Sequence, residues 1–465
     1  MKKITERSTT LSSESINPAH RSPLTAHCFN ELVAHFLGRR LPEKMAAALS
    51  YPELPTDVKR FITRMLILMR KADFPVTDFT PVLVWQLSNI IPGFLPCAWS
   101  GRVPPLTLPK RNARIDAYVL KHAWPDGLVN PVFVDMGCGF PPITTTDAAA
   151  ALPGWRVFGV DRSFSDYVVY DGDGNYACFN GQRAFQYFQP RMDPAGIRMY
   201  RNAAEARMRF EAIFDDLHPL LSKATDRSSE TVEKNGHTLV RHPIRNYEAP
   251  NLTFIEAEME AARVPAAHAI RCMNTLLYFD SETRQRMLAQ AGALLVDSGI
   301  LIVGANLMSG ASCRYAVHKR DNQSLEPTEF ALSLDNLGPI TIMPWYTLHD
   351  DDPEAVLLAD VIRQVRADRP FWRLFTGRLD ELMAHYGLFE RDSDGFLHAP
   401  DGEELAMDFA ERTARLWRQV GEEGFTDGAV DALNRAGYAA WKNSVGDIAI
   451  RPGSGRLALP DREKD

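Results

Sequence analysis

The sequence predicts an α/β protein whose core is an open, largely parallel β-sheet. Residues 132–161 are predicted to form a buried strand, a glycine-containing turn, an alanine-rich helix and a second buried strand ending in an acid. Residues 252–306 continue with a third strand, a fourth strand, a helix and a fifth strand. Alternating short apolar runs and helical patterns are typical of parallel sheets, whose strands are joined by helices.

The turn after the first strand is the first candidate for a binding site. Gly137 and Gly139 can adopt backbone angles closed to other residues, and without a Cβ they let a ligand approach the main chain. Asp161 follows these glycines by about 20 residues, where such folds place an acid on the ribose hydroxyls of a nucleoside ligand. The unit therefore predicts a nucleoside site.

Two features of this turn restrict the ligand further. A dinucleotide site requires a third glycine, so that the helix packs closely and its N-terminus meets a pyrophosphate. Pro142 stands at that position and also lacks an N–H group. Asp135, directly before the turn, would repel phosphate and favour a cation. These residues favour S-adenosylmethionine, a nucleoside sulfonium, over NAD.

The motif Asp135-Met-Gly-Cys-Gly139 resembles the first motif of the class I S-adenosylmethionine-dependent methyltransferases. Asp161 matches the acid that closes their second strand. This resemblance implies a Rossmann-like class I methyltransferase sheet with S-adenosyl-L-methionine as cofactor. It also implies a set of cofactor-binding residues: Asp135, Gly137, Cys138, Gly139, Asp161, Arg162, Glu258 and Asn274.

Residues 269–306 resemble, more specifically, the chemotaxis-receptor glutamate methyltransferases (CheR-like). That family carries C-R-N-x-x-x-Y-F before the same helix and strand, and Cys272, Asn274, Tyr278 and Phe279 match it. Met273 replaces the family's arginine, and the family's Gly-Glu-Glu-Pro after the first motif is absent. The resemblance therefore implies the cofactor fold but not the receptor substrate.

The sequence offers few catalytic candidates, which agrees with the chemistry of methyl transfer. A sulfonium already has a good leaving group, so the enzyme mainly aligns the reactants and excludes water. Asn274 and Tyr278, after the fourth strand, are the candidates to position the acceptor. Alternatively, Asn274 caps a turn and Tyr278 packs against the sheet. Glu258, after the third strand, either binds adenine or is a solvated carboxylate that opens a helix.

The chain is longer than this core requires, and its patterns predict several segments. We expect a disordered tail over 1–26, a helical N-terminal domain over 27–125, a cofactor-binding core over 126–310 with an irregular insertion over 170–250, an insertion or substrate lid over 311–425, a closing helix and strands of the core over 426–452, and a tail over 453–465.

Composition narrows the function classes. The net charge of −7 argues against nucleic-acid binding, and no apolar run reaches the length of a membrane span. The six cysteines form no C-x-x-C pair, so we expect reduced thiols, no metal and a cytoplasmic protein. We predict a methyltransferase acting on an O or N atom of a small-molecule or protein acceptor. The alternatives are a non-catalytic S-adenosylmethionine-binding sensor or scaffold and an NAD(P)-dependent oxidoreductase.

Overall fold

The computed structural model describes residues 34, 56–87, 107–123, 130–191, 199, 202–222, 228–307, 309–338, 340–400, 408–453 and 457–459. The predicted tail over 1–26 lies outside these residues.

The α-helices in these ranges are α1 (Thr56–Lys71), α2 (Pro81–Trp85), α3 (Ala113–His122), α4 (Ile143–Ala151), α5 (Ala203–Leu217), α6 (Ser281–Leu294), α7 (Pro353–Ala367), α8 (Arg369–His385), α9 (Phe409–Glu422) and α10 (Phe425–Arg435). The strands are β1 (Val132–Met136), β2 (Arg156–Asp161), β3 (Tyr167–Tyr170), β4 (Tyr176–Phe179), β5 (Phe185–Gln189), β6 (Glu230–Lys234), β7 (His237–Arg241), β8 (Leu252–Glu256), β9 (Ala267–Met273), β10 (Leu295–Ala305), β11 (Arg314–Asp321), β12 (Ser324–Leu332), β13 (Glu390–Arg391), β14 (Leu397–His398), β15 (Ala440–Lys442), β16 (Ile448–Ile450) and β17 (Leu457–Ala458).

One half of the central sheet is parallel and has the predicted Rossmann-like order. Its strands run β8-β2-β1-β9-β10, and each neighbouring pair is parallel. In order of appearance along the chain this is third, second, first, fourth, fifth, the arrangement of a doubly wound fold. The direction of winding reverses between β1 and β9, where open α/β sheets bind ligands beyond the carboxyl ends of their strands. The α/β fold class is confirmed.

The other half of the sheet is antiparallel and corrects the predicted boundary of the 311–425 segment. β11 pairs antiparallel with β10, and β12 pairs antiparallel with β11. These two strands continue the core sheet, so the predicted insertion or lid over 311–425 is not one separate segment. The C-terminal hairpin β15–β16 joins the same sheet through β12.

The segment between β2 and β8 is regular, contrary to the prediction for 170–250. It forms an antiparallel sheet in the order β5-β4-β3-β7-β6, with α5 against one face. Successive side chains of a strand point to opposite faces of its sheet, and here both faces are apolar. Val169, Ala177 and Leu239 face α5, whereas Val168 and Cys178 face the central core. The alternation is short and interrupted by turns, so it gives only a weak signal along the sequence.

Helices cover both faces of the central sheet. α3 and α4 pack on the face that carries Phe133 and Ala269, and α6 packs on the face that carries Val134 and Ile270. Since α3 belongs to this core, the boundary predicted at 125/126 is wrong. α1 instead packs with α7, α8, α9 and α10 in a third cluster that reaches β12 and β16. The predicted 453–465 tail also contributes structure, because β17 pairs with β12.

Candidate cofactor site

The glycine turn lies across the ends of β1 and β2. The backbone N–H of Gly137 donates to the carbonyl of Val160 at 2.8 Å, and both Gly137 and Gly139 have positive φ, at 72° and 67°. A Cβ on Gly137 would lie 2.3 Å from the side-chain oxygen of Thr275. The two glycines are therefore required by the turn itself, and Gly137 is required by close approach of the loop after β9.

Asp161 is the predicted site acid that the structure brings to this turn. Its carboxylate accepts the backbone N–H of Gly139 at 2.9 Å, which joins the end of β2 to the turn after β1. Burial raises the pKa of the Asp161 carboxyl, and the backbone N–H groups of Gly139 and Ser163 oppose that shift. A carboxylate has about four lone-pair sites, so Asp161 can hold the turn and still accept hydroxyl protons from a ligand.

Asp135 has a different role from the one predicted. It is directly opposite Arg271 in the β1–β9 register, and the guanidinium donates to both carboxylate oxygens, at 2.9 and 2.6 Å. Arg271 also donates to Asp116 on α3 and is completely buried. The charge of Asp135 is neutralised within the protein. The expectation that this acid selects a cationic ligand is therefore wrong, because Arg271, on the neighbouring strand and the same face of the sheet, already pairs with its carboxylate.

Several N–H groups at the start of α4 donate to carbonyls of the turn itself. The helix begins at Ile143, whose N–H donates to the carbonyl of Pro141 at 2.9 Å, and the N–H of Thr145 donates to the carbonyl of Pro142 at 3.1 Å. Phosphate sites of dinucleotide enzymes use these first N–H groups of the helix. The turn therefore disfavours a pyrophosphate, as its prolines suggested.

The remaining predicted cofactor residues differ in their exposure to solvent. The loop after β8 is bonded to β2, since the N–H of Ala257 donates to the carbonyl of Asp161 at 2.9 Å, and the next residue, Glu258, is exposed. Arg162 is also exposed. Cys138 is buried, and burial together with Asp161 and Asp135 raises the pKa of its thiol, so it remains a thiol at neutral pH.

Asn274 lies at the expected edge, but its side chain binds another loop. It adopts a positive φ of 57°, and its amide exchanges two hydrogen bonds with Asn306, the residue after β10, at 2.8 and 3.0 Å. Arg111, before α3, donates from Nε to the Asn306 side chain at 2.8 Å and from Nη2 to its carbonyl at 2.6 Å. Asn274 therefore holds the loops after β9 and β10 together.

Tyr278 contacts a second tyrosine from the segment after β12. The hydroxyls of Tyr278 and Tyr346 interact, and burial raises the pKa of both, so both stay protonated near neutral pH. The backbone carbonyl of Tyr278 lies 3.0 Å from Nε2 of His349. Arg314 holds the carbonyls of Pro344 and Tyr346, at 2.9 and 3.1 Å. Tyr278 is thus suited to donate a hydrogen bond, not to remove a proton.

Four residues of this region were not predicted from the sequence: Arg111, Arg271, Asn306 and Tyr346. Arg271 could have been found from the sequence. An arginine inside the apolar run Ala269-Ile-Arg-Cys must find a partner, because an unpaired buried charge is very costly. The others lie 32 to 195 positions from their partners, and only the folded chain brings them together.

Comparisons with known proteins leave the family open. No protein-family model matches this chain, and no curated protein matches it. Solved structures give partial matches. A Listeria monocytogenes protein described as an S-adenosylmethionine-dependent methyltransferase is 16% identical over 42% of this chain and 55% of that chain, with a TM-score of 0.18. An amino pentose methyltransferase from Micromonospora echinaspora is 12% identical over 51% of this chain and 75% of that chain (TM-score 0.21), and a magnesium protoporphyrin IX methyltransferase from Synechocystis is 13% identical over 47% and 72% (TM-score 0.19). The chain thus spans about half the length of the Listeria protein. At such TM-scores the fold and site assignments rest on this chain's own topology and geometry.

Among the described residues, no helix combines the length and apolar character that a membrane crossing requires. Within the same residues, no group of three or more His, Cys, Asp or Glu side chains is placed to hold a metal ion.

Proposed function

We propose that this protein binds S-adenosyl-L-methionine beyond the ends of β1 and β2 and transfers its methyl group to an O or N atom of an acceptor. One observation carries the proposal. Next to the point where the winding of the parallel sheet reverses, the carboxylate of Asp161 is bonded to the N–H of Gly139 in a turn with two left-handed glycines. An acid after the second strand supports the binding of a ribose, because its carboxylate can accept the protons of hydroxyl groups.

The same geometry supports a nucleoside without phosphates. The N–H groups of Ile143, Thr145 and Thr146 at the start of α4 donate to carbonyls of the turn, which disfavours a pyrophosphate there. This disfavours the nicotinamide oxidoreductase. Neutralisation of Asp135 by Arg271 removes one electrostatic argument for a sulfonium, so the proposal depends on the turn and on Asp161.

The chain's own residues can orient both reactants without a catalytic base. Asp161 would hold the ribose, and Glu258 would lie near the adenine. Tyr278, protonated at neutral pH, would donate a hydrogen bond to the acceptor. S-adenosylmethionine supplies an electrophilic methyl carbon when bound. Catalysis would then come from alignment and exclusion of water.

A non-catalytic S-adenosylmethionine-binding protein is the second candidate. The observation that favours it is that both predicted catalytic side chains have internal partners: Asn274 is bonded to Asn306, and Tyr278 interacts with Tyr346. Such a protein would bind the cofactor but release no S-adenosylhomocysteine.

Calorimetry with S-adenosylhomocysteine tests the site. We expect micromolar affinity in the wild-type protein, and a loss of about 10- to 100-fold in Asp161→Ala, since charge-assisted hydrogen bonds contribute about 1.5–3 kcal/mol. Asp431→Ala, in an exposed position on α10, is the matched control and should bind normally. Equal affinities of wild type and Asp161→Ala would refute the assignment. Labelled methyl transfer into natural extracts then separates the enzyme from the sensor.

A further inference from the structure

We propose that Tyr187, on β5, positions the glycine turn for the cofactor, so that the sheet inserted between β2 and β8 (the inserted sheet, β3–β7) supports the cofactor site. This inference rests on the proposed binding of S-adenosyl-L-methionine. Tyr187 is a positioning residue, because it would act on the cofactor through the turn.

The first step concerns how the turn after β1 is held. At one end the N–H of Gly139 donates to the carboxylate of Asp161, which bonds the turn to β2. Pro141 and Pro142 follow, and neither has an N–H group. This part of the turn can therefore only accept hydrogen bonds, and its position depends on donors from other segments.

The second step concerns the donor that the inserted sheet supplies. The hydroxyl of Tyr187 donates to the carbonyl of Phe140 at 3.2 Å, between residues 47 positions apart. Burial raises the pKa of Tyr187, so the hydroxyl keeps its proton and remains a donor at neutral pH. The ring of Tyr247, between β7 and β8, also meets the ring of Phe140 edge-to-face, with 5.9 Å between centroids. Two groups from the segment between β2 and β8 thus contact the residue directly after Gly139.

The third step concerns the firmness of this support. One face of the inserted sheet is buried in the same apolar cluster as Phe140 and α4, through Val168, Cys178 and Val240. The link from β2 to β3 is fixed as well: the N–H of Phe164 donates to the carboxylate of Glu256 at 3.1 Å, and its ring meets that of Phe254 edge-to-face at 5.9 Å. A donor on a rigid element favours one conformation of the turn before the cofactor arrives. This raises the fraction of the protein that is ready to bind.

Calorimetry with S-adenosylhomocysteine on Tyr187→Phe tests the inference, because this change removes only the hydroxyl. We expect an affinity about 3- to 10-fold lower than that of the wild type, as suits the loss of one neutral hydrogen bond. Tyr167→Phe is the matched control, since Tyr167 packs on the opposite face of the inserted sheet, against α5. It should bind as the wild type does. Thermal melts establish that both variants are folded at the temperature of the titration.

Hydrogen exchange of the wild-type protein gives an independent measurement. Coupling between the turn and the inserted sheet is reciprocal, so a ligand that holds the turn also stabilises the contacts of β5. S-adenosylhomocysteine should therefore slow amide exchange in β4 and β5 more than in α9, which packs in a different apolar cluster. A role of Tyr187 in stability alone would not produce this difference.

The outcomes are distinct. Wild-type affinity in Tyr187→Phe overturns the inference, and so does an equal loss of affinity in Tyr167→Phe. If Tyr187→Phe does not fold, hydrogen exchange decides: equal slowing in β5 and α9, or none in β5, overturns the inference. A wild-type protein that does not bind S-adenosylhomocysteine refutes the proposed function itself, whereas normal binding by both wild type and Tyr187→Phe refutes only the role of Tyr187.

Discussion

The buried group formed by Asp116, Arg271 and Asp135 contains two carboxylates and one guanidinium, and Asp116→Asn tests how it affects stability. Arg271 is 0% exposed and Asp116 is 2% exposed, so neither charge is well solvated. Burial raises the pKa of Asp116 from 3.8 to about 6, although Arg271 opposes the shift. The ionised form of Asp116 is therefore disfavoured in the folded protein relative to the unfolded chain.

The size and sign of the effect follow from this shift. A carboxyl whose folded pKa is raised contributes stability at low pH and loses it as the pH rises from about 4 through about 6. A shift of about 2 units corresponds to about 3 kcal/mol above pH 7, at 1.36 kcal/mol per unit. Asn resembles the protonated carboxyl and does not ionise. Asp116→Asn should thus equal the wild type near pH 4 and be more stable by up to about 3 kcal/mol at pH 8.

Urea unfolding at a series of pH values between 4 and 8 measures this difference. Asp431→Asn, an exposed change on α10, controls for the removal of a negative charge from an acidic protein. The reasoning is refuted if Asp116→Asn is less stable than the wild type at pH 8, or if its difference from the wild type does not change with pH. Either result would mean that the carboxylate of Asp116 is needed to balance Arg271.

Three other expectations can be checked by the same kinds of measurement. Gly304→Ala should destabilise the protein by about 1–3 kcal/mol in urea unfolding, because its Cβ would lie 2.2 Å from a backbone oxygen of β11. Gly377→Ala, in α8 with open space around it, is its control and should be stabilising by up to about 1 kcal/mol. Glu329→Gln should gain stability relative to the wild type as the pH rises above about 4.5, since burial raises the pKa of Glu329; a thermal melt series with no pH-dependent difference would contradict this. The loss of S-adenosylhomocysteine affinity in Asp161→Ala, described above, is the direct check of the site.

Local sequence patterns indicate correctly those helices and hairpins whose formation depends on residues close together in the chain. Asp352, directly before Pro353, is a typical start of a helix, and it caps α7 by accepting the N–H groups of Glu354 and Ala355 at 3.1 and 3.2 Å. The turn Asp392-Ser-Asp-Gly395 likewise joins β13 and β14 into a hairpin after α8. Caps, periodic apolar faces and turns act within a few residues, so the sequence contains their signal directly.

The predicted segment boundaries differ from the structure where a strand pairs with a segment that is far away in the sequence. Nothing in the residues of β11 or β12 themselves indicates that β11 pairs with β10 or that β12 pairs with β16. The insertion between β2 and β8 was predicted to be irregular because its strands are short, and its sheet forms through contacts between segments up to about 70 residues apart.

The sequence alone determined that this protein has a βαβ unit with a two-glycine turn, an acid after its second strand and prolines where a phosphate would need N–H groups. Those features depend on which residue occupies which position of a local motif. Only the tertiary structure decided the roles of the charged groups: Asp161 is bonded to the turn, Asp135 is neutralised by Arg271, and Arg111 is fixed at the end of β10. The physical reason is that charge in a protein acts through its nearest partners, and those partners come from distant parts of the chain.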